Sequence, residues 1–341
     1  MSRMPSARRR WSSPVALTVS SALAALGLAA CSGGSYDDTT WPTPSSASSS
    51  TSSSSATTTA PACDNATQSY DPLASLPAKA TSLGDSFIDS IVDRGYLRVG
   101  VSADSYLLGA NNPLTGQIEG FDIDIAKAIA KRLLGDEDKI RLIVITAADR
   151  IPALEEGRVD LVARNMTMTC DRWNQIAFSS EYYHAGQKLL VTREAAAANP
   201  DAGLKDMKGQ RVCAPTGTTS LAKLKAVNDE VGGIDIVTAA NHTGCLVLFQ
   251  QGKADAITGD DTVLAGLAAQ DVYAEVTSAP AITDEPYGLG IAKANVEFVR
   301  YVNAVLADLR ADGEWTTIYD RWFASSLGKA PKPPTPVYGR S

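Results

Sequence analysis

Histidine is nearly absent from this chain of 341 residues, with His184 and His242 the only two. The five cysteines include no Cys-x-x-Cys pair, so a zinc site is close to excluded. Also missing are a Gly-x-x-x-x-Gly-Lys phosphate loop, a Gly-x-Gly-x-x-Gly fingerprint and a Gly-x-Ser-x-Gly nucleophile elbow. With so few imidazoles, a Ser–His–Asp triad has little to work with. Basic residues are outnumbered, 31 against 38 acidic, for a net charge of −7. A nucleic-acid binder needs a basic surface to displace phosphate counterions, so that partner is not expected. These absences lean against an enzyme, and no metal or cofactor is expected.

What is present is ordinary globular composition, 44% hydrophobic and 20% charged, in a chain long enough for two domains. The N-terminus has a basic head (Arg3, Arg8, Arg9, Arg10) and then an apolar stretch from Val15 to Ala30, the layout of a secretory signal. It ends in Leu28-Ala29-Ala30-Cys31, which resembles a bacterial lipobox, and this makes Cys31 the expected site of lipid attachment. A thioether-linked lipid with an N-acyl chain gives the two hydrophobic signals that stable anchoring requires. Ser32 to Ala62 is mostly Ser, Thr, Ala and Pro, unable to bury a core and expected to be disordered. As a flexible coil it would span roughly 30 Å.

Four cysteines remain, an even count that suits an exported protein with two disulfides in one of three pairings. Cys213 ends an expected strand and Cys245 lies in a following helix of the same segment, so these two are paired here. Cys63–Cys170 follows by elimination and would tie the N-terminal arm to the body.

From about residue 84 the pattern alternates strands and helices. Strands are expected at Tyr96–Val101, Arg141–Ile145 and Val159–Ala163. Phe121 to Leu134 carries Ile125, Ile129 and Leu133 at four-residue spacing, an amphipathic helix, and Ile151–Glu156 is a short one. A second set follows: strand Arg211–Ala214, helix Ser220–Val227, strand Asp235–Val237, helix Gly244–Gln251, strand Ala254–Thr258. The last third has a strand at Tyr287–Ala292 and helices at Val296–Asp312 and Trp315–Phe323. Strands separated by helices imply parallel sheets covered on both faces. Two such α/β lobes, joined by extended crossings near Tyr183–Val191 and Asp284–Ile291, would face each other across a cleft. The Pro-rich tail from Lys329 is expected to be loose.

Eight strings run in family order: GYLRVGV (95–101), GFDIDIAKAIAKRL (120–133), ADRIPALEEGRVDLV (148–162), MTMTCDRW (166–173), IAFSSEYY (176–183), GQRVCAPTGTTS (209–220), GKADAITGDD (252–261) and DGEWTTIYDRWF (312–323). Together they resemble the polar amino-acid-binding lipoproteins of ABC importers, extracellular solute-binding protein family 3, and most of all its glutamate/aspartate-binding branch. The resemblance implies an α/β, two-lobe, type II periplasmic-binding-protein-like fold with two hinge strands and a ligand cleft. It divides the chain into a signal peptide and lipobox (1–31), a disordered linker and N-terminal arm (32–83), lobe 1 (84–186 with 285–327), lobe 2 (187–284) and a Pro-rich tail (328–341). It implies a monomer, lipid-anchored on the extracytoplasmic face of the cell membrane, that captures an acidic amino acid (glutamate or aspartate, with asparagine and glutamine left open) and passes it to an ABC permease. A sensor signalling to a membrane partner and a dehydratase on the same fold are the alternatives.

The site residues follow position by position. Arg172 matches the family's α-carboxylate arginine, assisted by Thr167 and by Thr218 or Thr219 at a helix start, where free N–H groups favour an anion. Asp260 matches the aspartate that pairs with the α-ammonium, with Asp261 the competing candidate, and Asn165 occupies a position that usually touches the same group. Arg150 and His242 match residues that meet the second carboxylate in the glutamate/aspartate branch, and Tyr106 is a candidate to cover the ligand. At Ser102 that branch has an arginine, and Arg164 is the candidate to replace it in space. Arg172 and Arg150 against Asp260 leave a net of +1, which an acidic amino acid neutralises and glutamine does not.

Overall fold

The computed structural model describes residues 65–341. They belong to the second of the chain's two compact units, Thr59–Ser341. The signal peptide, Cys31, the Ser/Thr-rich run and Cys63 lie outside the described residues. Among the described residues no helix is long and apolar enough to cross a membrane.

The apolar strings form the strands expected of them. Leu97, Val99 and Val101 are fully buried in strand Leu97–Val101, which pairs in parallel with Ile140–Val144 on one side and Leu161–Val162 on the other. Gly290–Ala292 and Ile176–Phe178 complete this five-stranded sheet, joined antiparallel. The second sheet repeats the scheme. Asp235–Ala239, Arg211–Pro215 and Ala256–Asp260 run parallel, and Tyr183–Thr192 and Ala274–Val276 are added antiparallel. Helices cover the faces because buried parallel strands expose apolar side chains on both sides.

Helix Phe121–Leu134 has the bounds read from its periodicity, with Ile125, Ile129 and Leu133 on its buried side. Gly120 enters it at φ 148°, where a Cβ would lie 2.3 Å from the Leu108 carbonyl, so only glycine fits. The Cys213–Cys245 disulfide forms as expected, joining strand Arg211–Pro215 to helix His242–Gln250. Cys170 is disulfide-bonded as well.

The two sheets are linked by a pair of antiparallel segments. Tyr183–Gly186 pairs with Asp284–Tyr287, while the rest of Tyr183–Thr192 runs into the second sheet. The expected single strand Tyr287–Ala292 is therefore two, Asp284–Tyr287 and Gly290–Ala292, in different sheets. The break falls at Gly288, where the chain squeezes past Met168 and Phe178 and a Cβ would come within 2.7 Å of Met168.

The expectation for the C-terminal tail is also corrected. The Pro-rich tail is not loose. Val337 bridges to Gln68, and Arg340 stacks its guanidinium 3.8 Å above the Trp173 ring. Arg340 Nε also donates to the Gln68 carbonyl at 2.7 Å. Residues 65–83, the N-terminal arm expected to be tied to the body, are docked on it: Trp173 Nε1 donates to the Ala66 carbonyl, and buried Asn303 donates to Ser69 Oγ and the Tyr70 carbonyl. Aromatic stacking and buried amide pairing outweigh the chain entropy that composition alone predicts.

Candidate functional site

Beyond the carboxyl ends of the parallel strands, the two halves enclose a small cavity. Ala147, Arg150, Arg164, Asn165, Thr167, Thr218, Thr219, Ser220, Asn241, His242 and Asp260 form its wall. Its volume is about 10 Å³, room for about one water. On the outer side of the same threonines lies an open hollow of about 460 Å³ walled by Arg172, Lys223, Thr283 and Glu285.

Arg150 is almost wholly buried, and each of its three guanidinium nitrogens donates to backbone carbonyls. Nε donates to the Ala147 carbonyl, Nη1 to the carbonyls of Arg164 and Asn165, and Nη2 to that of Gly217 at 3.0 Å. Burial, reinforced by the charges of Arg172 and Arg164, pulls its pKa down, and Asp260 works the other way. Arg164, 4% exposed, lies two residues beyond strand Leu161–Val162, and its Nε finds no hydrogen-bond partner. The acids facing it are Asp104 and Asp122.

Asn165 is held at φ 34°, a left-handed conformation that asparagine tolerates better than most residues. Its N–H donates to Asp122 Oδ2 at 2.8 Å, and Tyr182 Oη donates to Asp122 Oδ1 at 2.7 Å. Burial raises Asp122 to about 6 despite those bonds. Such local strain concentrates at functional sites, where the surroundings over-determine it.

Opposite stands Asp260. Its Oδ2 accepts from Tyr287 Oη at 2.6 Å, while Oδ1 has no partner. Burial and the Glu285 charge push its pKa up to about 7. Asp261 faces elsewhere, into a separate hollow shared with Lys188 and Leu327. His242 opens helix His242–Gln250 behind the Asn241 cap, with Nε2 unpartnered. Burial, followed by the Arg164 charge, drives it down to about 3, so it is neutral at ordinary pH.

The expected set is thus gathered with exceptions. Arg150, Arg164, Asn165, Thr167, Thr218, Thr219, His242 and Asp260 share one wall. Arg172 lies on the outer hollow, because its guanidinium is drawn back to the carbonyls of Thr167 and Gly217. Tyr106 lines neither space. It sits at a turn between two short strands with a half-exposed ring, and its carbonyl packs against Gly266. The Thr218 hydroxyl caps helix Thr219–Val231, accepting from Leu221 N and donating to the Pro215 carbonyl. Ser102 bonds Asp104 and Ser105, and Asp104 is one of the acids facing Arg164.

Sequence reading missed two acids. Asp122 sits between Phe121 and Ile123, both buried, and an acid on a buried helix face is the signal that could have found it. Glu285, 2% exposed, belongs to the linking segment Asp284–Tyr287 and gives no such signal.

Two α/β lobes with a polar cleft between them and paired linking strands define a solute-binding protein. The model of the bacterial extracellular solute-binding proteins, family 3, matches residues 97–325, and the chain belongs to that family. It is 35% identical over 233 residues to the ABC transporter glutamine-binding protein GlnH of Bacillus subtilis, covering 68% of this chain and 83% of that protein. It is 30% identical over 226 residues to the L-glutamate/L-aspartate-binding protein of Pseudomonas aeruginosa, 65% of this chain and 74% of that one. Among solved structures, the ancestral amino acid-binding protein AncCDT-1, a precursor of cyclohexadienyl dehydratase, superposes with TM-score 0.63 at 34% identity, covering 70% of this chain and all of that one.

Proposed function

We propose that the protein captures an acidic amino acid, glutamate or aspartate, and delivers it to an ABC importer. The observation that carries this is the charge of the cavity wall. On the wall and the adjoining hollow Arg150, Arg164 and Arg172 supply three positive charges, Asp260 and Glu285 two negative, and His242 is neutral. The remaining single positive charge balances the single negative charge of glutamate or aspartate. In a buried site an unmatched charge costs several kcal/mol.

In this reading Asp260 takes the ammonium through its open Oδ1, and Arg164 takes the side-chain carboxylate, with Arg150 adding its charge from the wall while its carbonyl hydrogen bonds hold it in place. Arg172, Thr167 and Thr219 hold the α-carboxylate. An amino acid does not fit about 10 Å³, so uptake requires the lobes to part and close again about the linking strands. Cys31 would carry the lipid that keeps the body at the membrane, and Cys31→Ser would then move the protein from the membrane fraction to the medium.

Titration calorimetry with glutamate, aspartate, asparagine and glutamine tests the specificity. Glutamate or aspartate should bind most tightly, and Arg164→Gln should cost them about 10- to 100-fold while sparing glutamine. Tighter binding of glutamine by the wild type rejects the acidic reading. Glutamine is the second reading, favoured by the glutamine-binding relative and by the carboxylate of Asp122 close behind the wall. A turnover assay with prephenate tests the dehydratase alternative. A membrane sensor in place of the permease would show as a signalling partner retained on the ligand-loaded protein.

A further inference from the structure

Glu285 lies in the linking segment Asp284–Tyr287, and its carboxylate is almost completely buried. Thr167 and Thr219 both donate their hydroxyls to Oε2, at 2.5 and 2.7 Å, and Thr283 donates to Oε1 at 2.6 Å. Arg172 feels its charge as the largest favourable influence on the guanidinium. These are the groups that the functional reading above gives to the ligand's α-carboxylate: two threonine hydroxyls from opposite lobes and one arginine. A carboxylate already sits among them, and it belongs to the protein.

We propose that Glu285 is an internal competitor for the α-carboxylate seat, a side chain that must yield the Thr167 and Thr219 hydroxyls before an amino acid can use them. The proposal rests on the functional reading for the ligand's identity, but the seat itself is defined by this chain's own contacts. Thr167 lies on the side of the first sheet and Thr219 opens a helix of the second lobe, so one oxygen atom of Glu285 ties the two halves together. Two consequences follow from the chemistry. An anion fixed beside the seat repels an incoming carboxylate, so removing it raises affinity. The same anion raises the Asp260 pKa, so removing it also favours the ionised partner of the ammonium.

The experiment uses the soluble wild type, Glu285→Gln and Glu285→Ala. Calorimetry with glutamate should show both variants binding roughly tenfold more tightly than the wild type. Formate, with no amino acid present, should raise the melting temperature of Glu285→Ala more than that of the wild type or Glu285→Gln, by filling the vacated seat. Unchanged or weaker glutamate binding by folded Glu285→Gln overturns the proposal, as does a formate response no larger in Glu285→Ala than in the wild type. If no variant binds any of the four amino acids, the functional reading falls, and the formate response alone decides whether the seat exists.

Discussion

Arg150 Nη2 reaches from the first lobe to the carbonyl oxygen of Gly217 in the second, 3.0 Å away, while the rest of its guanidinium is bonded to three carbonyls of its own side. The side chain is therefore both cavity wall and clasp. Replacing it with methionine strands four carbonyls, three of them deep in the first lobe. Arg150→Met should destabilise the body by about 2–4 kcal/mol. Lysine keeps the charge but is a point donor without the planar fork. Arg150→Lys should therefore recover only part of that loss, as urea denaturation of the three proteins would read.

The proposed closure would also depend on glycine. A Cβ at Gly266 would lie 2.4 Å from the Tyr106 carbonyl, a backbone atom of the facing lobe. The residue is helical without a positive φ, so alanine suits the helix itself and favours it by about 1 kcal/mol. Gly266→Ala should fold with a normal far-ultraviolet spectrum yet bind its amino acid at least about tenfold more weakly, because the lobes cannot fully meet. Undiminished affinity in calorimetry would show that this contact is not part of the bound state.

The disulfide has a separable role. Cys213 and Cys245 are 32 residues apart, and a loop of that length is worth about 3–4 kcal/mol in the chain-entropy picture. Cys213→Ser with Cys245→Ser should lower unfolding stability by up to that amount. Ligand affinity should change little, since neither sulfur reaches the cavity wall. Chemical denaturation and calorimetry of the double variant check the two halves of this statement.

Much of this architecture was legible because local pattern and burial agree. Ile125, Ile129 and Leu133 announce their helix, and the strand strings become buried parallel strands in two sheets. The approach of Asp260 to Arg150 came from matching motifs, which carry relative positions that periodicity cannot. Three things were out of reach. The tail at Arg340 docks through a cation–π contact with Trp173, a pairing far apart in sequence with no composition signal. The break at Gly288 arises from how two sheets meet, a tertiary constraint. Glu285 looks like any acid of a solvated crossing until the fold places three hydroxyls around it.

Asp260 as the ammonium's partner would make ligand binding a proton-linked event. Its pKa of about 7 in the closed site exceeds the 3.8 of an ordinary aspartate, chiefly through burial and then through Glu285. Between those values the folded protein binds more protons than the unfolded chain, so this group lowers stability as pH rises through the window. His242, depressed to about 3, acts in the opposite sense and withdraws stability as pH falls below its ordinary 6.5. The two slopes oppose each other in the unliganded protein, which makes unfolding curves alone a poor reporter. Ligand binding separates them. An ammonium against Oδ1 favours the ionised carboxylate, so binding below pH 7 must expel a proton. Affinity should rise roughly tenfold per pH unit between about 5 and 7 and level off above. Calorimetry in buffers of different ionisation enthalpy should count close to one proton released at pH 5.5 and almost none at pH 8. Asp260→Asn should bind weakly and lose this proton release. An affinity that is flat from pH 5 to 8 in the wild type would remove Asp260 from the ammonium site.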